Sequence, residues 1–378
     1  MEILNLLKFL SNGLTFIYVI LVLSFIIGWV KLPVFQLRSH SPKTKVSIII
    51  AARNEEINIE RTIKALLTQN YPKALIEVII VDDQSTDRTA EIVEGYASKG
   101  IKLLKLNPGK RLNSYKKKAI ETAIGLSCGD LIVTTDADCS MGSRWLSTIV
   151  GLYEEKGFKM ISSPVMFFEE RNLFERMQTL EFLYLIGMGA STIGNKMPST
   201  CNGANLAYQK KVFLEVGGFK GIDDLASGDD ELLLHKIAAK YPNGIGFLKN
   251  TDAMVYTDAK DNLGQFIQQR KRWASKSTKY KNKAIILLGI LIWTFNLSIL
   301  ANVVLGLFFS QFFLIAGYQL LAKFALELCF LVPVTSFAKR RKLLLLSPIL
   351  TILHIFYMVY IGIAGNSGKY NWKDRMVK

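Results

Sequence analysis

The sequence predicts an α/β domain with a mostly parallel sheet, joined to transmembrane helices. Three observations predict it. Short apolar, β-branched runs alternate with stretches of helical spacing between residues 46 and 134. Two of those runs end abruptly in paired acids, Asp82-Asp83 and Asp136-Ala137-Asp138. Four further stretches are apolar over about the 20 residues that a bilayer crossing needs.

Composition agrees with this division. Of 378 residues, 50% are hydrophobic and 21% are charged, and mean hydropathy is positive. That is too apolar for an ordinary soluble enzyme and too charged for a membrane bundle alone. The net charge of +16 permits nucleic-acid binding. The basic residues, however, crowd beside the apolar spans, in 31–45, 270–283 and 339–342. Cytoplasmic membrane flanks have that pattern, so no nucleic-acid partner is expected. Cys128, Cys139, Cys201 and Cys329 show neither metal-ligand spacing nor a disulfide framework, and the three histidines are too scattered for zinc.

Taken in order, Leu14–Val30 is free of charge and reaches spanning length when extended back to about Leu10. A cleaved signal peptide is the rival reading. The start is not clearly basic and no small-x-small site follows, which favours an uncleaved helix. Lys31, Arg38, Lys43 and Lys45 then place the next segment on the cytoplasmic side.

Val46–Ala52 reads as a buried strand, followed by the polar turn Arg53-Asn54-Glu55-Glu56 and a helix from about Asn58 to Tyr71-Pro72. Ile76–Val81 is the next strand. A helix is expected over about Arg88–Ser98, a strand over Ile101–Leu106, a turn at Asn107-Pro108-Gly109 and a helix over Lys116–Ser127. The strand Leu131–Thr135 runs into Asp136 and Asp138, which as i and i+2 of an extended chain would point to one side. Alternating strands and helices imply right-handed crossovers and a parallel sheet. Its carboxyl edge would gather Arg53, Asp83 and Asp136 in one cleft. The glycine fingerprint of dinucleotide binding is missing after the first strand, which argues against an oxidoreductase.

Met160–Phe168 reads as one more strand, and Leu173–Met188 as a helix on the sheet or at the membrane interface. Cys201–Asn205 is a small polar loop. Ser227 or Asp229 is a candidate cap for a helix over Leu232–Ala239. Gln265–Lys283 is strongly basic around Trp273. Ala284–Phe309, Phe312–Val334 and Leu343–Ile363 are each long enough to span, with Lys339-Arg340-Arg341-Lys342 between the last two. Alternating sides puts that basic loop inside and the tail outside, although the tail carries Lys369, Lys373, Arg375 and Lys378, against the charge rule. The linear division is therefore an N-terminal span over 1–32, a cytoplasmic catalytic domain over 33–283 and a C-terminal region of about three helices over 284–378.

Two carboxylates at a strand end suit Mg²⁺ or Mn²⁺, which one or two acids hold together with substrate phosphates. Four separated signals then combine: Asp82-Asp83, Asp136-x-Asp138, Asp229-Asp230 and Gln269-x-x-Arg272-Trp273. In this combination the chain resembles the membrane-bound family 2 glycosyltransferases, the inverting GT-A group of cellulose, chitin and hyaluronan synthases, with ceramide glucosyltransferase more distant. The resemblance covers about Val46 to Tyr280.

It implies the following roles. Val81-Asp82-Asp83-x-Ser85-x-Asp87 matches the motif whose acid binds the nucleotide's base and ribose, and Lys117-Lys118-Ala119-Ile120 resembles the basic segment after the nucleotide loop. Arg53 and Glu55 would line the same pocket. Asp136 and Asp138 match the metal-binding motif. Asn202-Gly203-Ala204-Asn205 resembles the donor and acceptor loop. Gly228-Asp229-Asp230 stands where the family has Thr-Glu-Asp, so Asp230 is the expected catalytic base and Asp229 the alternative. Gln269, Arg272 and Trp273 complete Gln-x-x-Arg-Trp, with Arg272 facing the diphosphate and Trp273 offering a flat face to a sugar. The partners implied are a nucleotide-sugar donor, a lipid or glycan acceptor and the membrane. The expected location is multi-pass in a bacterial inner membrane, catalytic domain cytoplasmic. The competing reading is a membrane transporter or scaffold with a nucleotide-binding domain, for which Lys323 and Glu327 inside a span are the residues of interest.

Overall fold

Seven strands build the main sheet because the β-branched runs have nowhere polar to face. The computed structural model describes residues 2–38, 41–107, 112–365, 370–372 and 375–377. Its strands in chain order are β1 (Val46–Ala52), β2 (Ile76–Asp82), β3 (Ile101–Lys105), β4 (Leu131–Thr134), β5 (Ser140–Met141), β6 (Met160–Ser162), β7 (Val165–Phe167), β8 (Leu206–Gln209), β9 (Ile245–Phe247) and β10 (Val255–Thr257). Tyr370–Trp372 and Arg375–Val377 add a hairpin, β11 and β12. The helices are α1 (Glu2–Lys31), α2 (Ile59–Leu67), α3 (Thr89–Glu94), α4 (Tyr115–Leu126), α5 (Trp145–Lys156), α6 (Leu173–Gly194), α7 (Lys210–Glu215), α8 (Glu231–Lys240), α9 (Leu263–Ala274), α10 (Lys283–Gly306), α11 (Gln311–Phe337) and α12 (Ser347–Ala364).

The chain divides into two compact units. The α/β unit holds Leu32–Glu169, Thr192–Ala259 and Lys369–Lys378. The helical unit holds Met1–Lys31, Glu170–Ser191 and Lys260–Gly368. This differs from the linear division in two respects: most of α6 and all of α9 cluster with the apolar helices, and β11 and β12 with the α/β unit. Buried Glu181 and Arg270 pair side chain to side chain there, which ties the two segments together.

In the α/β unit the sheet order is β3-β2-β1-β4-β8-β6-β9. β3, β2, β1 and β4 are parallel, and β8 runs antiparallel between β4 and β6. The register pairs Ala52 with Asp82, so β1 and β2 end level at the carboxyl edge. β5, β10 and β7 form a second sheet. The stretch 160–168 is thus two strands in two sheets rather than one. Pro164, which has no N–H to give to a ladder, sits at the break. The turn at Asn107-Pro108-Gly109 falls partly outside the described residues, as do Lys369, Lys373 and Lys378 of the tail.

In the helical unit, 2–31, 283–306, 311–337 and 341–364 are long and apolar enough to cross a membrane. Tyr18 of α1 stacks on Phe295 of α10 at 3.9 Å, and Trp29 meets Phe337 of α11 edge-on at 5.6 Å. Buried polar groups pair between helices: Asn302 donates to Ser11 Oγ at 3.0 Å and to Gln319 Oε1 at 2.9 Å. Lys323 and Glu327 pair with each other at 2.6 Å, and the Tyr18 hydroxyl donates to the same carboxylate at 2.7 Å. Burial of both charges in one hydrogen-bonded group is what apolar surroundings require.

Candidate active site

Two turns at the carboxyl edge start the site. After β1 and β2 the chain reverses through Asn54 (φ 50°) and Gln84 (φ 54°), left-handed conformations that Asn tolerates better than most residues. The turns are laced together. Asn54 N–H donates to Ser85 Oγ at 3.0 Å, Thr86 N–H to Asn54 Oδ1 at 2.9 Å and Glu56 N–H to Asp87 Oδ2 at 3.0 Å. Arg53 spans them, its Nη1 donating to the carbonyls of Asp83 (2.8 Å) and Gln84 (2.6 Å). Asp82 accepts from Ser85 N–H at 3.3 Å, Glu55 accepts from Asn58 Nδ2 at 3.2 Å, and Asp83 is buried at the strand end. Burial works against the Asp87 carboxylate, but the Thr89 hydroxyl and three backbone N–H groups hold it below its ordinary pKa. Asp87 is a brace of this edge.

β4 stops at Thr134, and Asp136–Cys139 is a turn, with Cys139 N–H donating to Asp136 O at 3.3 Å. The extended-chain argument for Asp136 and Asp138 therefore fails, and the two acids flank a buried Ala137 within a turn instead. Helix α2 fixes this turn. Thr62 Oγ1 lies 2.8 Å from Ala137 O and 2.7 Å from Cys139 O, and Arg61 Nη2 donates to Asp138 O at 2.7 Å. Arg61 is itself held by Asp258 at 2.7 Å and lies over the Phe168 ring. Burial first, then the charges of Asp138 and Asp136, push the Cys139 thiol well above its usual pKa.

Asp229 and Asp230 come from a different source, the irregular segment 216–230 between α7 and α8. Asp230 caps α8: Oδ1 accepts from Glu231 N–H at 2.7 Å. The cap is neither Ser227 nor Asp229, as the sequence suggested. Asp230 Oδ2 accepts from Gly203 N–H at 3.1 Å. A Cβ on Gly203 would stand 3.3 Å from Asp229 Oδ2 and 3.3 Å from Asp230 Cβ, so this close approach favours glycine. Asn202 stays local and accepts from Ala204 N–H at 3.0 Å.

Lys116 joins the two sets of acids. Its Nζ lies 2.7 Å from Asp136 Oδ1 and 3.1 Å from Asp229 Oδ2. Burial opposes the charge, but Asp136, Asp229 and Asp230 outweigh it and hold the ammonium well above its ordinary pKa. Lys117, the lysine of the run expected at the site from the sequence, points elsewhere. Lys117 is 1% exposed, and its Nζ donates to the carbonyls of Ile222 (2.5 Å), Leu225 (2.8 Å) and Ser227 (2.7 Å). Helical spacing held the signal. Lys117, Ile120 and Ile124 fall on one buried face at i, i+3 and i+7, so that lysine had to point inward.

Asn205 and the group Gln269, Arg272 and Trp273 are placed as follows. Asn205 is wholly buried. Its amide donates to Pro164 O and Ala253 O, both at 2.7 Å, and accepts from Trp145 Nε1 at 2.9 Å. That uses its polar groups to join backbone segments rather than to meet a substrate. Gln269, Arg272 and Trp273 stand on α9 in the helical unit. There the buried arginine is Arg270, whose guanidinium lies over one face of Trp273 at 4.2 Å. Gln269 Oε1 accepts from Arg270 Nη1 at 2.7 Å.

The donors suit a hard cation. Asp136 and Asp138 supply carboxylate oxygens, and Asp136, 38% exposed, already engages a positive charge. Among the described residues no cluster of three His, Cys, Asp or Glu forms a complete cage. Two carboxylates that leave further positions to water and phosphate fit Mg²⁺ or Mn²⁺ better than zinc.

Comparison with known proteins gives the same direction. The family model "Glycosyl transferase family 2" matches residues 47–217. The probable glycosyltransferase YdaM of Bacillus subtilis is 29% identical over 238 residues, which is 61% of this chain and 54% of that protein. A beta-monoglucosyldiacylglycerol synthase of Nostoc sp. is 35% identical over 111 residues, 29% of this chain and 24% of its own length. The chain thus spans about half or less of the length of these curated relatives. The solved mannosyltransferase PcManGT of Pyrobaculum calidifontis, in complex with GDP-Man and Mn²⁺, aligns with a TM-score of 0.54 at 18% identity, over 92% of this chain and 97% of that one. That likeness is one of fold, and the fold is of the GT-A type.

Proposed function

We propose that the chain is an inverting glycosyltransferase, because residues 47–217 match the glycosyl transferase family 2 model. It moves a sugar from a nucleotide diphosphate sugar to a membrane-associated acceptor, a glycolipid, lipid-linked glycan or growing polysaccharide. The observation that carries this reading is the Lys116 bridge, which gathers Asp136 and Asp229-Asp230 around one cationic centre at the carboxyl edge of the sheet.

Asp136 and Asp138 would hold Mg²⁺ or Mn²⁺. When bound, the cation stabilises the charge of a diphosphate leaving group. Lys116 adds a fixed positive charge beside that position. Asp82, Asp83 and Glu55, on turns braced by Arg53, would hold the nucleoside. Asp230 takes the proton of the acceptor hydroxyl as its oxygen bonds to the anomeric carbon, while the bond from that carbon to the phosphate oxygen breaks and the electron pair leaves with the diphosphate. Attack opposite the leaving group inverts the anomeric centre. Gln269 and Arg272 are proposed to contact the donor's phosphates, and Trp273 the sugar.

A lipid acceptor is supported by four helices of spanning length and by the glucosyldiacylglycerol synthase among the relatives. The proposed setting is a bacterial inner membrane, with the α/β unit cytoplasmic. A cysteine at Lys99, in a background without the native cysteines, should resist membrane-impermeant thiol reagents in intact cells. Purified protein in detergent should release nucleoside diphosphate from one member of a sugar-nucleotide panel when Mn²⁺ or Mg²⁺ is supplied. Turnover with no member of the panel would leave the transporter or scaffold reading in place.

A further inference from the structure

Segment 216–230 carries the proposed base yet contains no helix or strand, so something other than a backbone ladder must fix it. Gly217, Gly218, Gly221 and Gly228 all have φ between 49° and 85°. Its own backbone satisfies some carbonyls, with Lys220 N–H donating to Gly217 O and Ile222 N–H to Phe219 O, both at 3.0 Å, and others turn to side chains. Lysines supply the partners. Near the segment's start, Lys236 of α8 reaches the carbonyls of Gly218 at 2.5 Å and Lys220 at 2.9 Å. At its end, buried Lys117 of α4 takes those of Ile222, Leu225 and Ser227, and the neighbouring Ser114 hydroxyl donates to Asp223 O. Ser227 is the last residue before Gly228 (φ 85°), where the chain turns into Asp229-Asp230.

We propose that Lys117 is a positioning residue for the reaction: it fixes the direction from which Asp229 and Asp230 enter the site. This rests on the reading of that acid pair as the reactive carboxylates. Lysine suits the task because an ammonium carries three donors that can converge on three carbonyls. A planar guanidinium fork does not fit that arrangement, and a methionine leaves three buried acceptors unsatisfied. Lys236 makes the same kind of contact on the same segment, but at the end remote in sequence from the acids. It therefore separates positioning from mere anchoring of the segment. A misplacement of about 1 Å can cost a catalytic group about 100-fold in rate.

The test compares Lys117→Met, Lys236→Met and Asp230→Asn in the full chain in detergent. UDP-glucose and GDP-mannose serve as donors, UDP and GDP binding by calorimetry counts folded sites, and hydrogen exchange reads the segment. In Lys117→Met, amides of 226–231 should exchange at least ~10-fold faster, the scale of a lost local restraint. Turnover per nucleotide-binding site should fall roughly 10- to 100-fold with nucleotide affinity within about threefold. Lys236→Met should loosen 217–221 and keep turnover per site. If Lys117→Met fails to accumulate, Ser114→Ala decides, with an expected loss of about threefold at unchanged affinity. Unchanged exchange at 226–231 overturns the proposal, as does equal loss of turnover in Lys236→Met. Full turnover in both Asp230→Asn and Asp229→Asn would instead overturn the reading of the acids, while the exchange data still report on the clamp.

Discussion

The site's two acid pairs are held in place by different means. Asp136 and Asp138 stand on a short turn at the end of a central strand, and one adjacent helix braces it through Thr62 and Arg61. Asp229 and Asp230 stand at the end of a long irregular segment braced from α4 and α8 by lysines and capped onto the start of α8. The first pair borrows rigidity from the sheet. The second depends on contacts between residues about a hundred positions apart. A pair of the first kind can survive loss of one brace, whereas a pair of the second kind is sensitive to each, which makes it the place where rate can be lost without loss of fold.

The largest expected effect tests the second pair directly. Asp230→Asn keeps an N-cap through its remaining oxygen, because Asn caps as well as Asp, and gives up only the acceptor for Gly203 N–H. Its effect therefore reports on the base and not on helix α8. Turnover should fall about 10²- to 10⁴-fold, the usual worth of a general base, with nucleotide affinity by calorimetry nearly unchanged. Asp229→Asn with the larger loss would move the base by one residue. On the first pair, Asp138→Asn should cost on the order of 10²- to 10³-fold, as loss of a group that stabilises developing charge does. The loss should shrink as Mn²⁺ is raised in a titration of the steady-state rate. A variant indifferent to metal concentration would remove Asp138 from the metal site.

Legibility in the sequence follows the same division. The strands, their order of appearance and the acids at their ends could be read because a buried strand is a local pattern and a sheet edge is its necessary consequence. Three things could not. Lys116 and Lys117 are adjacent and chemically identical, and only their helical phase against Ile120 and Ile124 distinguishes them. Asn205 looked like a polar loop residue because its three partners, Trp145, Pro164 and Ala253, are distant in sequence. Arg270 outranks Arg272 in burial because Glu181 lies on α6, a pairing invisible along the chain. For Asn205 and Arg270 the missing information was a long-range partner, and for the lysines it was a local helical phase that had to be set against Ile120 and Ile124.

Lys116 is where the two pairs meet, so its removal tests whether they act as one centre. Lys116→Met leaves Asp136, Asp229 and Asp230 repelling one another. We expect a loss of roughly 10- to 100-fold in kcat/KM, and a higher Mn²⁺ requirement, because a second cation must then compensate the acids. The fold-loss of rate in the Lys116→Met, Asp138→Asn double variant should be less than the product of the single losses. Independent, multiplying effects would mean two separate sites.

The smallest effect sharpens the comparison from outside, with an acid that serves the fold alone. Glu77 lies on β2 at the amino end of the sheet, paired in register with Ser47 of β1 and away from the carboxyl edge. Its carboxylate accepts from Ser47 Oγ at 2.6 Å, Lys102 Nζ at 2.7 Å and Cys128 N–H at 2.9 Å. Burial pushes its pKa up, but Lys102, Ser47 and Cys128 outweigh that and bring it down to about 2. A carboxylate with a depressed folded pKa stabilises the native state above its unfolded value, near 4.5, and loses that contribution as pH falls towards about 2. Because Lys102 is exposed, the stabilisation should be on the order of 2 kcal/mol rather than the full shift. Glu77→Gln should therefore lower the midpoint of thermal unfolding by several degrees at pH 7, read by intrinsic fluorescence, and the gap to wild type should narrow below about pH 4.5 and close only as pH falls to about 2. Turnover per nucleotide-binding site at pH 7 should match wild type. A rate loss per site in Glu77→Gln would mean that the strand ends are coupled through the sheet, and that the acids at the carboxyl edge are less independent of the fold than their local braces imply.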